Sequence, residues 1–154
     1  PTPAQVVVDE IIAAGGVAMA NSDSVATREG AEAMVSAVLA EFGGLDILIN
    51  NAGIIRNRTF LNIGEYEFEP VLDVHVKGCF FVTRPAYEHM RTVGYGRIVN
   101  TSSGSGLFGS FGQSAYSAPA RRGPGDRGRV GRVGRVGRVG GEDGVSQDSW
   151  AAEA

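Results

Sequence analysis

The sequence predicts an α/β chain: a partial doubly wound parallel sheet with flanking helices, followed by a structureless tail. Three observations predict it. Short runs of apolar residues at 17–20, 45–50 and 97–101 alternate with amphipathic helical segments, most of these segments end in glycine, and beyond residue 118 the apolar periodicity gives way to a Gly-Arg-Val repeat. Strands alternating with long helices form βαβ units, whose strands run parallel. With 154 residues, 43% of them hydrophobic and 20% charged, the chain is the size of one domain, and one core is its ceiling.

Taken in order, Val6, Val7, Val8, Ile11 and Ile12 fall close to helical spacing, and Gly15-Gly16 supplies the positive φ that closes a helix. Val17-Ala18-Met19-Ala20 reads as a buried strand opening into the polar loop Asn21-Ser22-Asp23-Ser24. Ala31, Met34, Val35, Val38, Leu39 and Phe42 repeat at helical spacing before Gly43-Gly44. Leu45-Asp46-Ile47-Leu48-Ile49-Asn50 is the next strand. From 65 to 92, Phe68, Val71, Leu72, Val74, Phe80, Phe81, Val82 and Tyr87 keep a mostly helical period, which Gly94 and Gly96 end. Arg97-Ile98-Val99-Asn100-Thr101 is the last strand, and a small-residue loop over 102–112 leads to a helix starting near Ser114. Ligands of open parallel sheets bind at the carboxyl ends of the strands, so the polar loops 50–53 and 101–105 mark the candidate site.

Composition narrows the function classes. No window approaches the roughly 18–20 unbroken apolar residues of a membrane span, and Pro1-Thr2-Pro3-Ala4 has no basic stretch leading into an apolar one. No membrane partner and a cytosolic location are expected. Cys79 is the only cysteine, which excludes an intrachain disulfide and a multi-cysteine metal site. It reads as a buried small hydrophobe, and no metal site is expected. Residues 1–120 carry 7 basic and 12 acidic side chains, whereas 121–154 carry 7 and 5. Residues 128–140 spell Gly-Arg-Val four times and close on Gly140, so disorder is expected there. The tail's seven arginines lack interleaved aromatics before Trp150, and no nucleic-acid partner is expected.

The string Leu45-Asp46-Ile47-Leu48-Ile49-Asn50-Asn51-Ala52-Gly53 resembles the fourth strand and N-N-A-G motif of the classical short-chain dehydrogenases/reductases. Gly96-Arg97-Ile98-Val99-Asn100-Thr101-Ser102-Ser103 resembles that family's fifth strand and catalytic serine, and Gly112-Gln113-Ser114-Ala115-Tyr116-Ser117-Ala118 its tyrosine segment. The likeness reaches back to the first helix, so residues 1–118 are expected to form a partial Rossmann-type domain holding the third to fifth strands, and 119–154 the tail. Ile54-Ile55-Arg56-Asn57-Arg58-Thr59-Phe60, Asp73-Val74-His75-Val76-Lys77-Gly78 and residues 109–113 look most like (3R)-hydroxyacyl-CoA dehydrogenases.

The resemblance implies NAD- or NADP-dependent hydride transfer between a secondary alcohol and a ketone, with a 3-hydroxyacyl or 3-oxoacyl thioester as substrate and a homo-oligomer in the full-length family member. A phenol ionises near pH 10, so a tyrosine used for proton exchange at neutral pH needs its phenolate stabilised. By resemblance Tyr116 exchanges the proton of the substrate hydroxyl and Ser103 hydrogen-bonds its oxygen. Asn51, Ala52 and Gly53 line the cofactor wall, Tyr116 also lies against the cofactor, and Ser24 and Val25 border its adenine. Gly53 reads equally as a turn glycine, and residues 23–25 equally as an N-cap of the next helix. His75 stands where the family usually has an asparagine that supports a relay water. As a lone histidine on an amphipathic helix it reads as a packed or solvated side chain and stays out of the catalytic set.

Three departures set a second expectation. The family's lysine four residues after the tyrosine is Ala120 here, with Pro119 before it. Neither the glycine-rich phosphate loop of the first strand nor the second strand is present, and the sixth and seventh strands are missing too. The chain as it stands is therefore expected to be inactive and partly folded or aggregation-prone, acting, if at all, through protein association. Residue 1 is not Met, which suggests a start inside a longer reading frame, and Arg121-Arg122-Gly123 fits a one-nucleotide slip from Lys-Ala-Gly codons.

Overall fold

A computed structural model describes residues 1–120 and 137–138. The expected disorder of the tail and the frame-slip reading of 121–123 fall, apart from 137–138, outside those residues.

Helix α1 (Pro3–Ala13) begins at Thr2, whose hydroxyl accepts from the Gln5 N–H, and Pro3 opens it where no amide donor is needed. Ala14 caps its end and Gly15 turns the chain at φ 85°. The segment 17–20 then runs without strand pairing, with Val17 80% exposed. This corrects the buried strand expected there. A strand exists only against a neighbour, and among the described residues no strand pairs with this segment.

Helix α2 (Arg28–Phe42) is capped by Thr27, whose Oγ1 accepts from Gly30 N–H at 3.2 Å, and it ends at Gly43 with φ 74°. Strand β1 (Ile47–Asn50) follows. The long helical run opens with α3 (Glu65–Leu72), widens into a π-helical turn at Asp73–Gly78 and continues as α4 (Cys79–Val93) to Gly94, whose φ is 72°. Strand β2 (Arg97–Asn100) lies parallel to β1 in the register Ile47↔Arg97 to Asn50↔Asn100, so β1, the helical run and β2 form one βαβ unit. Gly96 enters β2 against Met90, leaving no room for a Cβ. Two short helices follow, α5 (Gly104–Phe108) and α6 (Ser114–Ala120), the first of them inside what the sequence reads as loop. Strand β3 (Gly137–Arg138) pairs antiparallel with β2, giving the order β1-β2-β3.

The core lies on one face of the sheet. Ala31 and Val35 of α2 meet Val82 and Ala86 of α4, with Leu48 of β1, Leu39, Leu45, Val25 and Phe81 around them. Along β1 burial alternates as a strand period requires, so Ile47 and Ile49 on the other face are 57% and 60% exposed. Among the described residues no helix is long and apolar enough to cross a membrane.

Candidate active site

Because Asn50 and Asn100 are direct partners at the carboxyl ends of parallel strands, the loops that follow them leave the sheet side by side. Side chains tie the two ends together. Asn50 Nδ2 donates to Asn100 Oδ1 and to Thr83 Oγ1 of α4, both at 2.9 Å. The Cys79 thiol, half-buried rather than fully buried as expected, donates to Asn100 Oδ1 at 3.4 Å.

Beyond these ties a cavity of about 200 Å³ opens, and Asn51, Ala52, Gly53, Ser103 and Tyr116 all line it. Five of the residues singled out from sequence thus meet in one place, the serine and tyrosine among them. Ser103 gets there as the N-cap of α5, where its Oγ accepts from the Ser105 N–H at 3.3 Å and its own proton stays available to donate outward. Tyr116 gets there on α6, whose approach is braced twice. Arg58 N–H donates to Gly112 O at 2.9 Å, and Ser105 Oγ donates to Gln113 Oε1 at 2.9 Å.

Val25 lines an adjoining cavity of about 250 Å³ that also touches Asn51 and Ala52, and it packs against Gly78. Ser24 lines neither cavity. Its hydroxyl accepts from Ala26 N–H at 3.2 Å within its own turn. The helix cap expected at 23–25 is instead Thr27, two to four residues on, and Gly30 is glycine because a Cβ there would run into Ser24 O.

The residue missed from sequence is His75, which is 7% exposed and forms part of the cavity wall. Its Nε2 lies 2.9 Å from Ile54 O and 3.0 Å from Ile54 N, and its ring meets that of Tyr116 edge-on, with centroids 5.2 Å apart and planes at 80°. The histidine-for-asparagine exchange was a visible signal, but helical periodicity alone could not show which way the ring faces.

A nicotinamide dinucleotide fits these residues only in part. Hydroxyls and small residues suit the end where a carbonyl and a ribose would lie. The described residues include no glycine-rich strand-to-helix turn to cradle a pyrophosphate, and position 120 carries no ammonium. The two cavities, about 200 and 250 Å³, meet at Asn50, Asn51 and Ala52. The described residues therefore fit the ribose and carbonyl end of a dinucleotide and lack only its pyrophosphate cradle and the ammonium, and among them no group of three or more potential ligands could hold a metal ion.

A family model described as short chain dehydrogenase matches residues 1–119. The chain is 50% identical over 115 residues to the peroxisomal hydratase-dehydrogenase-epimerase of Saccharomyces cerevisiae, an alignment covering 75% of this chain and 13% of that protein. It is 40% identical over 124 residues to a hydroxyacyl-CoA dehydrogenase of Mycobacterium tuberculosis, covering 73% and 39% respectively. Its structure is similar to that of an NAD+-bound xylitol dehydrogenase, with TM-score 0.73, 29% identity and coverage of 77% of this chain and 46% of that one. The chain therefore spans less than half the length of each.

Proposed function

This chain belongs to the short chain dehydrogenase family, and from that membership we propose that its residues form the catalytic half of an NAD- or NADP-dependent oxidoreductase. The reaction is oxidation of a secondary alcohol or its reverse, on a 3-hydroxyacyl or 3-oxoacyl thioester. One observation carries the reading: Ser103 and Tyr116 line a single cavity at the carboxyl ends of two parallel strands. Ser103, its Oγ accepting from the backbone, directs its proton at the substrate oxygen, and Tyr116 exchanges the proton of that oxygen. Asn51, Ala52, Gly53 and Val25 form the wall toward the cofactor, with Ser24 at its adenine border. The nicotinamide group supplies the hydride acceptor when bound. The thioester assignment draws on the likeness to a hydroxyacyl-CoA dehydrogenase and on the segments after N-N-A-G and around His75.

The 154 residues alone supply neither the phosphate cradle nor the lysine, so turnover requires both. We therefore expect a chimera that carries a relative's glycine-rich first strand and second strand ahead of residue 1, Ala120→Lys, and a relative's sequence after it to reduce NAD+ or NADP+ with a 3-hydroxyacyl-CoA. Tyr116→Phe in it should cost about 10²- to 10⁴-fold in kcat, the usual worth of positioned acid–base catalysis. Undiminished turnover in that variant would remove Tyr116 from the chemistry. No turnover is expected from the unmodified chain.

A second reading is association without catalysis. It is favoured by the half-exposed Val76 and Phe80, which line an apolar cavity of about 480 Å³ on α4 and give a second copy a surface to cover. A cytosolic setting is proposed on the sequence alone. The Saccharomyces relative is named peroxisomal, and cell fractionation decides between them.

A further inference from the structure

We propose that His75 is the positioning residue of this site. It holds the Tyr116 ring and the backbone of Ile54 in one arrangement, and Gly53 is glycine in order to admit it. The inference rests on the reading of Tyr116 as the proton-exchanging group and adds to it what sets the place of the phenol.

Three contacts carry it. The first is the tie to Ile54. A buried imidazole is costly unless its nitrogens are partnered, and Nε2 sits within hydrogen-bond reach of both the amide and the carbonyl of one residue. It accepts from the amide in one tautomer and donates to the carbonyl in the other, and either bond pins the ring to the loop that follows Gly53. The second is the edge-on packing against Tyr116, a geometry aromatic pairs favour and one that restricts where the phenol ring can turn. The third is the fit to Gly53. A Cβ there would lie 2.6 Å from His75 Cε1 and 3.1 Å from Nε2, too close for a ring already held on its other sides.

The location of His75 strengthens the case. It lies in the π-helical turn Asp73–Gly78 between α3 and α4, and such widened turns concentrate at functional sites. The fit to the His75 ring gives Gly53 a cause distinct from close approach of a cofactor.

The test uses isotope-labelled 154-residue chain and NMR, with Tyr116→Phe to assign the phenol signals. In the unsubstituted chain, at a concentration and temperature where light scattering shows it dispersed and the α2–α4 core gives its own nuclear Overhauser contacts, contacts between the His75 and Tyr116 ring protons are expected, and their absence there overturns the proposal without any further variant. His75→Phe keeps a ring and loses the nitrogen, so it should hold the Tyr116 signals near their native positions while shifting the Ile54 amide. His75→Asn keeps a polar group and loses the ring, so it should shift the Tyr116 signals. Tyr116 signals that stay put in both variants contradict a positioning role. Gly53→Ala should lower the unfolding midpoint in the native background and lose much of that effect beside His75→Ala. Equal shifts in both backgrounds mean that Gly53 does not make room for the ring. An inactive chimera with these contacts intact would count against the proposed reaction and leave the positioning role standing.

Discussion

Ser103 does two jobs with one hydroxyl, and they can be separated. As the N-cap of α5 it accepts from the Ser105 N–H, and removing such a cap costs about 1 kcal/mol. As a donor at the cavity it would stabilise charge on a substrate oxygen, a role whose loss costs about 10²- to 10³-fold in turnover. Ser103→Ala in the lysine-restored chimera should therefore lose turnover far beyond what its small loss of stability explains, measured by steady-state kinetics beside denaturant unfolding. A loss confined to stability would reduce Ser103 to a cap. At this scale the sequence was legible wherever chemistry and spacing coincide: Ser103, Tyr116 and the Asn51–Gly53 turn meet at one cavity. His75 was not, because a period of 3.6 residues fixes faces only in a regular helix, and its turn is π-helical. The helix cap expected at 23–25 was misplaced because a serine–threonine stretch offers several candidate caps, and the backbone chose Thr27.

The elements that sequence reasoning found are those whose stability is local. Helices α1, α2 and the run from Glu65 to Val93 close their own hydrogen bonds and carry their own stop signals, whereas the strand expected at 17–20 depended on a neighbour that the described residues do not supply. The start of α3 shows how such a local signal works. Glu67 Oε2 accepts from the Gly64 N–H at 3.1 Å, half of a capping box, since glycine offers no side chain in return. That bond is the main cause holding the Glu67 carboxyl below the ordinary glutamate range, with the Arg58 guanidinium adding to it. A carboxyl depressed in the folded state adds stability above its unfolded pKa, and that contribution is lost as pH falls through the folded value. The protection of the Gly64 amide and of the first turn of α3, taken as exchange relative to the intrinsic rate at each pH, should thus fall on acidification below the ordinary glutamate range. In Glu67→Gln the same amides should exchange with no such step. A step that persists in the variant would assign it to another carboxylate, Glu65 of the same first turn being the one to test. The Lys77–Asp73 pair in the π-helical turn works the opposite way: hydrogen bonding and charge raise Lys77, so its contribution holds below the ordinary lysine range and fades at higher pH.

For the molecule as a whole, the decisive feature is a sheet covered on one face. The described residues bury eight hydrophobic side chains, with Met90 and Val71 the largest fully enclosed, while Leu61, Phe111, Tyr66, Val17 and Phe60 are all at least 78% exposed. Among the described residues strand β1 has no partner on the side away from β2, and Ile47 and Ile49 stand bare on its open face. A flat apolar strand with an unpaired edge is a template for further strands, and here nothing among the described residues blunts it. The chain spans 46% of the xylitol dehydrogenase it resembles, so it holds less than half of the surface over which that fold spreads its burial. Thermal unfolding of the isolated chain should be broad rather than sharply cooperative, with light scattering rising alongside it. Ile47→Lys with Ile49→Lys then separates the causes. Both side chains point away from the α2–α4 core, so the double variant should keep the native helical circular dichroism. Charge on the open face should delay the rise in scattering and raise the soluble concentration, because edge-to-edge pairing would bring like charges together. Scattering that rises unchanged in the double variant would shift the cause to the exposed aromatics around 60–66 and 108–111, and a sharp transition in the native chain would mean that half a domain already holds a cooperative core.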